Sequence, residues 1–200
     1  MTDQAPPKAD FVHLHVHTQY SLLDGAIRLG DLIKTAKDFG MDTVTITDHG
    51  SMFGALQFYT MAKSAGVKPI IGCEFYISPS DRFDRSARSA GSAAYHLVLL
   101  AMNKDGYQNL MKLASIAQLE GFYYKPRIDK EVLAKYSDGL IALTACLHGA
   151  VPHAIIKGDM AKARKEAEEL QKIFGDRLYF ELQENNIPDQ TIANNGLKEL

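Results

Sequence analysis

The sequence predicts an α/β fold, a parallel sheet, open or closed into a barrel, packed against helices. Two observations predict it. Short β-type runs alternate with amphipathic helical stretches along 200 residues, as repeated β-α units require. Several runs are apolar on both faces, Val98-Leu99-Leu100 and Leu140-Ile141-Ala142-Leu143 among them. Such strands suit a parallel sheet covered on both sides.

In chain order, strands are expected over Phe11–Val16, Thr43–Thr47, Pro69–Ile77, His96–Met102, Leu140–Thr144 and Leu178–Leu182. Helices are expected between them, over Leu29–Phe39, Gly54–Ala65, Gly106–Gln118, Lys130–Tyr136, Met160–Phe174 and Ile187–Leu200. Asp31 is a candidate cap of the first helix. Gly40, Gly66 and Gly175 stand just past helices, where a left-handed residue is expected. Ser78–Ala94 reads as a long polar loop, a kind that is usually functional or mobile.

Bulk properties narrow the class. The chain is 46% hydrophobic and 23% charged, a globular balance. A formal net charge of -2 supplies no cationic field for loose DNA or lipid binding, although metals can provide positive charge locally. Two cysteines make no disulfide framework and suit a reducing cytoplasm. The polar opening MTDQAPPKAD lacks the apolar core of a secretory signal, and no run has the length of a membrane span.

The chemistry begins in Phe-Val-His-Leu-His-Val-His-Thr. In an extended strand His13, His15 and His17 share one face. A stack of hydrogen-bonded core histidines is the competing reading, but a dry core offers few partners for so many ring nitrogens. Metal ligation uses one nitrogen of each ring and leaves the other for a supporting group. His13 lies deepest along the strand and is read as packing or support.

Asp24 lies in a turn, Leu-Leu-Asp-Gly, just beyond this strand. Turn aspartates are common, and only that position marks it for the site. His49 falls at the end of the second strand, where α/β barrels carry their active sites, with Asp48 as a neighbour that orients an imidazole or accepts a proton. Glu74 interrupts an apolar run and needs a cation, either a metal or an arginine. Its neighbour Cys73 faces the other way, as a small core residue. His96 opens the next strand and Cys146 follows another. His148 and His153 are read as surface or supporting residues. His, Asp, Glu and one Cys suit Zn²⁺, Mn²⁺ or Fe²⁺ better than Ca²⁺. The inventory exceeds the four ligands of one structural zinc and fits two or three metals, an arrangement suited to phosphoester displacement. There is no Gly-rich phosphate loop and no Gly-x-Ser-x-Gly elbow.

These residues resemble a known family. His15-Val16-His17-Thr18, Asp24, Thr47-Asp48-His49, Glu74, His96 and Cys146 are similar to the successive motifs of the PHP (polymerase and histidinol phosphatase) domain. His17 to Gly25, Gly54 to Tyr59, Lys68 to Gly72, Gly106 to Leu110 and above all Glu120-Gly121-Phe122-Tyr123-Tyr124-Lys125-Pro126-Arg127-Ile128-Asp129 are similar to the PHP domains that open bacterial replicative DNA polymerase III α subunits. The resemblance implies a distorted (β/α)7 barrel over residues 10–200, preceded by a flexible tail at 1–9. It implies a metal set of His15, His17, Asp24, His49, Glu74, His96 and Cys146. The family's last two ligands, an Asp-x-His motif, are not among the 200 residues. The barrel is therefore expected to be incomplete at its C-terminus, without the polymerase palm, fingers and thumb.

The resemblance further implies a cytoplasmic DNA-directed DNA polymerase, a nucleotidyltransferase, as the parent protein. Its partners would be primer-template DNA, a separate proofreading exonuclease subunit and other replicase subunits. The site itself would carry a metal-dependent 3′–5′ exonuclease. The alternatives are a non-catalytic, metal-stabilised docking scaffold and a stand-alone phosphoesterase. Arg82, Arg85 and Arg88 of the long loop are candidates for phosphate contact, against the plainer reading of a solvated loop.

Overall fold

A computed structural model of the chain describes residues 8–86 and 94–200. Six strands form one mixed sheet: β1 (Thr43–Ile46), β2 (Lys68–Ile77), β3 (Tyr95–Ala101), β4 (Arg127–Ile128), β5 (Leu140–Leu143) and β6 (Leu178–Tyr179). The order is β1-β2-β3-β5-β6, with β4 beside the far end of β2. The helices are α1 (Leu29–Asp38), α2 (Ala55–Ser64), α3 (Lys104–Leu119), α4 (Lys130–Lys135), α5 (Ala150–Ile156), α6 (Met160–Phe174) and α7 (Pro188–Glu199).

The sheet is not all parallel. β1 and β4 run parallel to β2, but β3 is antiparallel to both β2 and β5. The reason lies in the connection. A parallel neighbour needs a long crossover, usually a helix. The described part of the segment from β2 to β3 contains no helix, so the chain turns back beside itself. Alternation then splits β3 between two faces. Leu97 and Leu99 join the main core against α3, α5 and α6, while Val98 and Leu100 pack with Leu143 and Ala145 on the opposite face.

Helix periodicity explains the outer layer. Leu29, Ile33 and Ala36 of α1 recur at helical spacing and meet Val44, Ile46 and Phe58. Ala163, Ala167, Leu170 and Phe174 do the same for α6. Asn103, Asp129 and Asp159 cap α3, α4 and α6 by accepting from backbone N–H groups. Asp31 does not cap α1. The helix begins at Leu29, so Asp31 sits inside its first turn, where a negative charge still complements the helix dipole. Gly40 and Gly66 adopt positive φ, at 71° and 73°, and end their helices as expected; Gly175 is also positive, at 59°.

Other expectations are corrected. Phe11–Val16 forms no regular strand. Its link to the sheet is the exchange between Val16 and Thr47, a single residue wide, which leaves no ladder to propagate. The last strand is Leu178–Tyr179 rather than Leu178–Leu182; beyond it Glu181 N–H donates to the Thr144 hydroxyl. Helix α5, around Pro152, was not among the expected helices. Of the expected tail, residues 1–7 lie outside the described residues. Residues 8 and 9 are tied down by Lys8 to Asp42 and by Ala9 N–H to the Gly40 carbonyl.

Candidate metal centre

The site grows out of strand register. β1 pairs with β2 so that Ile46 lies beside Ile71, and after a break the same spacing sets His49 beside Glu74. On the other edge of β2, Tyr76 faces His96 and Glu74 faces Val98. His96 is therefore diagonal to Glu74 on the same face, within reach of a side chain. Val16, bonded to Thr47, suspends His15 and His17 over this edge.

Four of the seven histidines converge on Glu74, which is 1% exposed. Glu74 Oε1 is 2.9 Å from His96 Nδ1 and 3.4 Å from His15 Nε2. Oε2 is 2.6 Å from His49 Nδ1 and 3.3 Å from His17 Nε2. His15 Nε2 and His17 Nε2 face each other at 3.1 Å. His49 Nε2 lies 3.0 Å from Asp24 Oδ2, and Cys146 Sγ lies 3.8 Å from His96 Nδ1. All seven residues expected as ligands thus meet in one continuous network. His13 stands apart, exposed, with its ring edge-on to Phe11.

Supporting groups hold the rings. His15 Nδ1 is 2.7 Å from Glu181 Oε1, which also accepts from the Gln183 amide at 2.6 Å. His17 Nδ1 is 3.2 Å from the Ser21 hydroxyl, and Ser21 donates to Asp48 at 2.7 Å. Asp48 touches no ring nitrogen. Its carboxylate accepts from Thr18 N–H, the Thr18 hydroxyl and Ser21, which fixes the turn that carries His17. In that turn a side chain on Gly25 would sit 1.8 Å from the Thr18 carbonyl oxygen, so only glycine allows the approach that leaves Asp24 beside His49. Cys146 is aimed by Ala145, a buried residue at φ 61°, a strained conformation of the kind that clusters at functional sites. Cys73 faces the core as expected, its thiol donating to the Asp48 carbonyl.

The electrostatics follow from burial and neighbours. Burial works against the Glu74 anion, but the surrounding imidazoles outweigh it and hold the carboxyl far below the usual carboxylate range. At His15, burial disfavours the cation, yet Glu181 and Glu74 push the imidazole up to about 10. His49 is raised in the same way, burial opposing Glu74 and Asp24. Burial lifts the Cys146 thiol to about 11 and the Tyr76 hydroxyl to about 12. His148 is lowered by burial and by the His96 charge.

The donor set fits divalent metals. Single donor atoms of His15, His17 and Glu74 lie within 4.8 Å of one another, and so do those of His49, Glu74 and His96. Glu74 belongs to both groups, and each of its oxygens lies near one histidine of each. Glu74 Oε2 and His49 Nδ1 are close but misaligned for a hydrogen bond, and both are buried without a hydrogen-bonding partner among the described residues, as is Glu181 Oε2. Buried orphans of this kind are costly unless a cation satisfies them.

Glu181 was not singled out in the sequence. Its signal was the one that marked Glu74, a carboxylate inside an apolar run, Leu178-Tyr179-Phe180-Glu181-Leu182. Tyr76 gave none. It stacks on His49 (5.7 Å, 18°) and meets His96 edge-on (5.1 Å, 83°). The loop arginines are committed internally. Arg82 pairs with Glu120 and Asp129 at 2.7 and 2.9 Å, and Arg85 donates to the Phe122 and Glu120 carbonyls. Arg88 lies outside the described residues.

Comparison with known proteins places the chain in a family. The PHP domain model matches residues 13–185. DNA polymerase III subunit alpha of Aquifex aeolicus is 50% identical over 196 residues, 96% of this chain and 17% of that protein. The subunits of Borreliella burgdorferi and Thermus aquaticus are 49% and 47% identical over 95% and 96% of the chain. The chain thus spans about a sixth of the length of these relatives. Among solved structures, a putative metal-dependent phosphoesterase from Bifidobacterium adolescentis matches 96% of this chain and 85% of its own, at 14% identity and TM-score 0.45. A two-domain protein with a predicted PHP-like phosphoesterase from Bacteroides vulgatus matches 69% of this chain and 36% of its own, at 16% identity and TM-score 0.38. With its histidine, aspartate and glutamate motifs inside the matched span, the chain belongs to the PHP domain family.

Proposed function

We propose that this chain is the PHP portion of a cytoplasmic, bacterial-type replicative DNA polymerase, and that its site is a divalent-metal centre hydrolysing phosphodiester bonds at DNA 3′ ends. One observation carries the chemical part. Glu74 is buried among four imidazoles, with Oε2 lacking a hydrogen bond among the described residues, as expected of a carboxylate bridging two cations. His15, His17 and Glu74 would hold one metal, and His49, Glu74 and His96 a second. Asp24 and Cys146 flank these sets, and a third ion would draw on them. Zn²⁺ or Mn²⁺ suits the donors best, with Fe²⁺ next.

When bound, such metals polarise a phosphoryl oxygen and lower the pKa of water. The protein's own groups do the positioning. Glu181 fixes the His15 ring through Nδ1, and Ser21, held by Asp48, fixes His17. Tyr76 walls off one side of His49 and His96. The relatives' polymerase identity supports DNA and other replicase subunits as partners; primer-template DNA and a separate proofreading exonuclease subunit are the specific ones we propose.

The test is removal of a mismatched 3′ nucleotide from a primer-template by the protein loaded with Mn²⁺ or Zn²⁺, free of any proofreading subunit. Loss of at least about a hundredfold in rate on His15→Ala is expected, since a ligand that holds the centre is gone. Equal rates in wild type and variant would sink the catalytic reading. Full metal content with no hydrolysis in either would leave the scaffold.

A further inference from the structure

We propose that Lys125 is a substrate-positioning residue, whose ammonium binds a phosphate oxygen of the DNA strand held at the metal centre. The inference rests on the reading above and adds a residue to it.

Lys125 sits on a tight turn clamped to the edge of the site. Tyr123 N–H donates to the Lys125 carbonyl at 3.1 Å, and Tyr124 at the tip has φ 58°. A left-handed tyrosine is strained and persists only where its surroundings hold it. The anchors are visible. On one side Pro126 lies against Gly50, the residue after His49, so closely that a side chain there would come within 2.6 Å of it. On the other, buried Arg127 donates to the Gly121, Arg82 and Asp84 carbonyls. The clamp leaves Lys125 exposed with its Nζ 5.2 Å from the centre of the Tyr76 ring. That ring touches both His49 and His96. The ammonium is therefore one aromatic ring away from two of the four imidazoles.

Its ammonium faces the Tyr76 ring and, among the described residues, no anion. Among the described residues no carboxylate pairs with Lys125, whereas Arg82, Arg85 and Arg127 are spent on Glu120, Asp129 and backbone carbonyls. Metals would supply positive charge at the reacting phosphate, but a formal net charge of -2 leaves no general cationic field for the rest of a polyanionic strand. A lysine on the rim can supply that as a flexible point charge toward phosphate.

The experiment compares wild type, Lys125→Ala and Lys125→Arg. The probe is a fluorescein-labelled single-stranded oligonucleotide with a phosphorothioate at its last linkage, followed by anisotropy across a salt series in Mn²⁺, with metal content measured in parallel. Lys125→Ala is expected to bind about tenfold more weakly, with unchanged metal content. Its slope of log affinity against log salt should be shallower by about 0.7, the value for one lost phosphate contact on a single strand. Lys125→Arg should stay near wild type. Wild-type affinity and slope in Lys125→Ala, no binding by the wild type, or weakening accompanied by metal loss would each overturn the proposal. Failure of the catalytic reading is seen separately, as equal hydrolysis by wild type and His15→Ala.

Discussion

Glu181 bonds the outer nitrogen of His15, 2.7 Å from Nδ1, while the inner nitrogen points at Glu74 and His17. This is the carboxylate–histidine arrangement that fixes tautomer and ring orientation in metal sites, and losing such a partner costs about 10–100-fold in metal affinity. Glu181→Ala should show a loss in that range by competitive chelator titration, with the fold intact by circular dichroism. An unchanged affinity would mean that His15 is held by other means.

Glu74→Gln should do more. It removes the anion shared by both candidate metal positions, so metal content should fall below one ion per two chains, measured by elemental analysis after dialysis. Retention of a full complement would show that Glu74 is not the bridge.

Gly25 and Gly66 separate two kinds of glycine. Alanine at Gly25 meets the Thr18 carbonyl, a backbone atom that cannot swing aside, and overpacking of this sort costs about 1–3 kcal/mol. Because Asp24 is next in the chain, metal affinity should drop with stability. Alanine at Gly66 has open space but a φ of 73°, so it should cost about 1 kcal/mol and leave metal affinity alone. Chemical denaturation and metal titration of the two variants make the comparison.

Asp129 ties the loop after β2 to the start of α4, accepting from Arg82 N–H, Arg82 Nη1 and Val132 N–H. Burial opposes its ionisation, but these donors hold its pKa below the ordinary value. The stabilisation is fully present above about pH 4 and is lost as pH falls through the lower folded-state pKa. Asp129→Asn should therefore be less stable by about 1–3 kcal/mol at neutral pH, the scale of charged hydrogen bonds. It should also lose less stability than wild type on acidification below pH 4. Parallel acid limbs in the two proteins would refute the linkage.

Arg82→Ala is the counterpart of Lys125→Ala. Its guanidinium is 11% exposed between Glu120 and Asp129, so its loss leaves buried charge unpaired at a cost of about 3 kcal/mol. The salt slope of DNA binding should not change. A shallower slope would return Arg82 to the phosphate-binding residues.

The sequence carried most of the site because its chemistry is written in residue types that apolar runs do not otherwise contain. His15, His17, Glu74 and His96 announce themselves in this way, and β1 and β2 follow from their apolar patterns. Direction was not legible. The two-residue period of β3 is the same whichever way the strand runs, and only the long polar stretch before it in the sequence hinted that it turns back. The segment before Thr18 alternates like a strand, but alternation records where side chains point, not whether a neighbouring strand supplies a ladder. The left-handed backbones of Ala145 and Tyr124 were hidden because neither residue type favours that conformation; packing imposes it.

β2 has a parallel neighbour on one edge and an antiparallel one on the other, with Glu74 between them. Each edge presents its imidazoles by a separate pairing rule, and a slip of one residue on either would rotate a histidine to the far face. If the site takes up metal as proposed, ion capture would audit the assembly of the sheet. A chain that had closed only one of the two ladders would present half a coordination sphere. Uptake during refolding would then mark the moment at which both edges of β2 are in register.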